Sequence, residues 1–158
     1  MLDLSSPTLD WLPLLHLAAA TIPLVRADAR TLRLPNALTV PGLAVTAAVA
    51  FATGDAAAVG MLVAASLVGA VVWQAGCLGL GDVKLLAWLA GASALTDALG
   101  PLRVLAAAGA ASAVVAAALL GAASGARVGV GGWSRVRVPL GPALLIGFWF
   151  GVLLPPAA

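Results

Sequence analysis

The run Gly79-Leu80-Gly81-Asp82-Val83-Lys84-Leu85-Leu86-Ala87 sets a carboxylate at the mouth of an apolar segment. Two glycines mark a break, and beyond Lys84 no charge appears until Asp97. Such a stretch reads as a membrane span entered through a glycine turn. The whole chain agrees. Of its 158 residues, 63% are hydrophobic and only 9% are charged. A soluble domain of this length could not hide that much apolar surface, so the bilayer is the expected solvent. The expected fold class is all-α, a polytopic bundle of about six transmembrane helices forming a single domain over residues 1–158.

Working outward, the spans fall at about 10–27, 37–54, 57–76, 82–98, 101–121 and 139–155, against a length expectation of roughly 20 residues each. Punctuation falls between them or at their entries: Pro35-Asn36, Pro41-Gly42, Gly54-Asp55, the segment from Gly76 to Gly81, and Gly100-Pro101. The glycine- and serine-rich stretch 121–132 reads as a loop. The first span is not expected to be a cleaved signal. Its leading flank carries Asp3 and Asp10 and no Lys or Arg, and its basic residues Arg26, Arg30 and Arg33 lie at the far end.

Threading six spans from an outside amino terminus sorts the charges. One side receives Arg26, Arg30, Arg33, Lys84, Arg127, Arg135 and Arg137, and the other only Arg103. The positive-inside rule then places the first group in the cytoplasm of a multi-pass protein of the cell membrane. Of the six acids, Asp3, Asp10, Asp55 and Asp97 fall outside, whereas Asp28 and Asp82 alone fall at the cytoplasmic boundary. Trp11, Trp73 and Trp133 fall near interfaces, and Trp88 and Trp149 lie deeper as packing residues. The lone Cys77 excludes an internal disulfide and reads as a packing residue. The basic residues form no soluble patch, which argues against nucleic acid as a partner. No metal site, nucleotide fingerprint or cofactor motif is visible.

Two carboxyls brought together can hydrolyse a peptide. Like charges at contact cannot both ionise comfortably, so one keeps a proton while the other acts as a base. Asp82 lies near a helix amino terminus, whose dipole favours the anion. The expectation is therefore an anionic Asp82 and a protonated Asp28 before attack, with the roles exchanging as the leaving amine is protonated. Gly79 and Gly81 clear space beside Asp82 for a sharp helix entry and for a substrate backbone. Lys84 is either a snorkelling anchor or a group that tunes the site. His16 is twelve residues from Asp28, roughly 18 Å along a helix, and reads as structural. The segment Val138-Pro139-Leu140-Gly141-Pro142 admits two readings, an extended stretch that accepts substrate as an added strand or a proline-initiated helix.

Three elements, in order, resemble the type IV prepilin leader peptidases, a branch of the GxGD aspartyl membrane proteases. They are Asp28 with Arg30, Arg33 and Leu34-Pro35-Asn36-Ala37-Leu38-Thr39; Gly79-Leu80-Gly81-Asp82-Val83-Lys84-Leu85; and Val138-Pro139-Leu140-Gly141-Pro142. In the last, Leu140 stands where the family has Phe. The resemblance implies that Asp28 and Asp82 are the catalytic pair. It makes Pro35, Asn36, Gly79, Gly81, Lys84, Pro139, Gly141 and Pro142 candidates for shaping the site or binding substrate. It also implies a prepilin-like precursor as partner, cleaved at the cytoplasmic face after a glycine and before the pilin's hydrophobic helix, for a pilus or secretion filament. Many bacterial members carry a leading cytoplasmic region with paired Cys-x-x-Cys motifs and also methylate the new amino terminus. No such motif precedes the first span, so the resemblance is to the short peptidase-only form, without methyltransferase activity. Two other classes compete: a small proton-coupled transporter using the same aspartates as a relay, and a non-catalytic membrane scaffold.

Overall fold

The computed structural model describes residues 9–74, 79–96 and 140–153, and all the regular structure among them is α-helical. Five helices follow in order: α1 (Leu12–Thr31), α2 (Asn36–Thr53), α3 (Ala56–Gln74), α4 (Leu80–Thr96) and α5 (Leu140–Leu153). They correspond to five of the six expected spans. The span expected at 101–121, the loop at 121–132, Asp3, Cys77, Asp97, Arg103, Arg127, Trp133, Arg135, Arg137, Val138 and Pro139 lie outside the described residues.

The helix ends follow from local chemistry. α1 opens with Pro13, where a missing N–H costs nothing, and closes with Leu32 in the left-handed region at φ 51°. The Leu32 N–H donates to the Asp28 carbonyl at 2.8 Å, which turns the chain sharply into Pro35 and α2. α2 closes on Gly54 at φ 68°, a geometry that glycine adopts without strain. Asp55 then caps α3, its Oδ1 accepting the N–H groups of Ala57 at 2.9 Å and Ala58 at 3.0 Å. The expected break at Gly54-Asp55 is therefore a tight corner with a cap.

α1, α2 and α3 are each long and apolar enough to cross a membrane. α3 shows what its solvent is: Val63, Leu67, Val68 and Val71 point outward, while only Ala58, Leu62 and Gly69 are buried. A helix apolar on every face and exposed along most of its length belongs in lipid. The protein is a membrane protein. α4 is different. At 17 residues it spans about 25 Å, and eleven of those residues are buried, including Trp88 and Leu89. It is the central helix, packed against α2, α3 and α5. One core cluster joins Leu14, Leu17 and Leu24 of α1 to Leu85, Trp88 and Leu89 of α4 and Leu145 and Phe148 of α5.

The short links from α1 through α4 make those successive helices antiparallel, so the end of α1 and the starts of α2 and α4 share one end of the bundle. The Gly141–Asp28 bond sets the start of α5 at that same end. All the described cations, Arg26, Arg30, Arg33 and Lys84, belong to that end, and Asp10 and Asp55 belong to the other. Trp88 is fully buried against His16, with ring centroids 5.4 Å apart, which gives His16 its structural place far from the acids.

Candidate active site

Asp28 lies in the last turn of α1 and is 4% exposed. Its Oδ2 accepts a hydrogen bond of 3.0 Å from the backbone N–H of Gly141, 113 residues away. Gly141 is the second residue of α5, so its N–H has no partner inside its own helix and is free to face outward. An anion at a helix amino terminus is also favoured by the helix dipole. Asp28 thus gains a buried partner that no side chain supplies.

Asp82 is the third residue of α4 and is partly buried. Its Oδ2 accepts the Gly79 N–H at 3.1 Å, while its own N–H donates to the Gly79 carbonyl at 3.0 Å. This is the reach-back half of a capping box, with Asp in the position that Glu or Gln commonly holds. The cap locks the Asp82 rotamer against the first turn of its helix. The two acids lie at the same end of the bundle, on α1 and α4. Neither Oδ1 carries a hydrogen bond to the described residues. Among the described residues, each acid is therefore fixed through one oxygen.

The remaining sequence candidates divide. Gly81 faces the link between α1 and α2: a Cβ there would lie 2.9 Å from the Leu34 Cβ. Gly141 faces Asp28: a Cβ there would lie 2.9 Å from Oδ2 and 3.2 Å from Cγ. Gly79 receives the Asp82 carboxylate. Pro35 is the extended cap residue of α2, and its carbonyl accepts the Leu38 and Thr39 N–H groups. Lys84 donates to the Asn36 Oδ1 at 2.8 Å, tying the start of α4 to the start of α2 across 48 residues of sequence. Pro142 stands in the first turn of α5, where proline is tolerated. From Leu140 onward the segment is helical, so the alternative of an extended stretch open to an added strand is corrected there. The reason is local: Pro142 suits a first turn, and the Gly141 N–H is already committed to Asp28.

Sequence reasoning missed the Gly141 donor as such, the Lys84–Asn36 bond and the inward course of Leu34. Main-chain donors carry no residue-type signal, and pairs 48 or 113 residues apart leave no spacing to read.

The arrangement is two acids from separate helices, pinned at one end of an apolar bundle. A family model, described as the type IV leader peptidase family, matches residues 14–126, most of the chain and both aspartates. The chain belongs to the type IV leader peptidase family. The match stops short of Gly141, so the main-chain contact to Asp28 comes from outside the matched part. No curated protein and no solved structure matches the chain.

Two expectations arise from this geometry. Gly141→Ala displaces the Asp28 carboxylate, and a misplacement near 1 Å lowers turnover by about 10²-fold. Initial rates on equal amounts of inserted leader peptidase measure it. Asn36→Ala removes an exposed partner of Lys84 and costs under about 1 kcal/mol. Thermal unfolding in detergent, with activity followed in parallel, measures that smaller effect.

Proposed function

We propose that this leader peptidase is an integral-membrane aspartyl endopeptidase. It removes the leader from type IV prepilin-like precursors at the cytoplasmic face, and Asp28 and Asp82 activate the attacking water. The observation that supports this reading is that both acids lie at one end of the bundle, each held through Oδ2 by a main-chain N–H.

The chemistry needs one proton between the two carboxyls. The carboxylate, assigned to Asp82 because its side chain is the less buried of the two, removes a proton from water as the oxygen bonds to the peptide carbon. The carboxylic acid, assigned to Asp28, donates its proton to the carbonyl oxygen. The tetrahedral intermediate then collapses, the C–N bond breaks, and the nitrogen takes a proton from Asp82. Asp28 recovers its proton from the hydroxyl that becomes the new carboxyl group, so the pair returns to its starting state. Fixed rotamers hold the acids ready and lower the cost of orienting them.

Charge supports the proposed side of the membrane. Arg26, Arg30, Arg33 and Lys84 all belong to the end that carries the acids, and cytoplasmic ends carry the excess of Lys and Arg. A proton relay across the bilayer would want acids at several depths. Here both lie at one end, which favours hydrolysis over the transporter alternative.

Co-expression with a membrane-anchored precursor bearing a short basic leader tests the proposal. The expected result is a precursor shortened at the leader junction only when this chain is present. An unshortened precursor beside fully inserted protein would overturn it. Proton-driven flux into vesicles, lost when either aspartate is replaced, would instead select the transporter.

A further inference from the structure

We propose that Leu34 is a positioning residue that holds the turns bearing Asp28 and Asp82 at their working separation. The inference rests on the acid-pair reading above and extends it to an apolar side chain.

Leu34 sits in the short link between α1 and α2, where connecting residues ordinarily face solvent. Its neighbours Leu32 and Arg33 do so, yet Leu34 is only 8% exposed. Pro35 explains part of this. The residue before a proline is driven towards extended backbone, which presets the direction of the Leu34 side chain. The base of that side chain meets α4, with Cβ 2.9 Å from where a Gly81 Cβ would stand, one residue before Asp82. Its tip meets α5, with Cδ2 3.2 Å from where a Gly141 Cβ would stand. That same point is 2.9 Å from the Asp28 Oδ2. One isobutyl group therefore spans from the turn that carries Asp82 to the turn that holds Asp28.

An apolar spacer suits this task. It fixes a distance without offering a hydrogen bond that would compete for either carboxylate. Leu34 also belongs to the buried cluster with Leu24, Leu85 and Leu145, so it is anchored on the core and does not swing. Alanine would leave the base in place and remove the tip, separating the function of the spacer from that of the link.

The test uses the full chain in membranes, with Leu34→Ala and Leu34→Met assayed on the same precursor and rates referred to folded protein. For Leu34→Ala, kcat falls by about 10²-fold while KM stays within about twofold, and Leu34→Met restores most of the rate. Unchanged kcat per folded molecule would mean a purely structural residue, and a raised KM with normal kcat would mean a substrate contact. Either result overturns the proposal. A second measurement needs no activity. In an Asp28→Cys/Asp82→Cys/Cys77→Ser chain, oxidative cross-linking of the two thiols becomes several-fold faster when Leu34→Ala is added, and not with Leu34→Met. Equal rates in all three backgrounds would refute the spacing. Cleavage that survives Asp28→Asn would remove the acid-pair reading, and the cross-linking rates then decide the spacing alone.

Discussion

Asp82→Asn and Asp28→Asn each lower precursor cleavage by about 10³-fold or more, because general acid–base chemistry at this level is what each carboxyl supplies. Asparagine has nearly the same shape. Its amide oxygen can still accept the Gly79 N–H at position 82 or the Gly141 N–H at position 28. Folding and insertion are therefore retained, and the loss is chemical. The double substitution is no worse than either single one, since the acids act as a unit and losing one disables the other. A time course of precursor shortening, with insertion checked by protease protection, measures all three. Retention of a tenth of the rate in either single variant would contradict a shared proton.

Gly42→Ala is expected to be the most damaging change away from the acids. The six-membered ring of Trp88 occupies the space that a Cβ at position 42 would need. The indole cannot retreat. It is fully buried, tilted against His16 and packed in one cluster with Leu14, Leu17, Leu85 and Leu89. Overpacking against a rigid ring costs about 3 kcal/mol, at the upper end of the usual range. Thermal unfolding in detergent measures it. Trp88→Phe in the same chain removes part of the offending ring, so Gly42→Ala/Trp88→Phe is less destabilised than the sum of the single changes. Additive losses would show that the two residues do not share the space.

The helical class, five of the helices and the placement of Asp28 and Asp82 at one end were legible in the sequence. Composition forces a membrane solvent, and the charges sort cleanly by end. What could not be read was the packing. In α3 nearly every residue is apolar, so no periodicity marks Ala58, Leu62 and Gly69 as the inward face. Asp55 was read as part of a break and as an acid on the far side, although Gly-Asp before an apolar run is also a cap signal. The opening of α5 was one of two readings, because proline and glycine are compatible with both a first turn and an extended strand. The partners of the two aspartates are peptide N–H groups, which every residue but proline possesses. Only folding selects which of them faces a carboxylate.

The bond from Gly141 to Asp28 carries a consequence for biogenesis. A chain emerging from the ribosome delivers both acids to the bilayer by the time Thr96 has entered, yet Asp28 still lacks its main-chain donor. That donor arrives only with the last of the described helices. A chain that stops before Gly141 lacks this contact, so its Asp28 side chain is held less firmly.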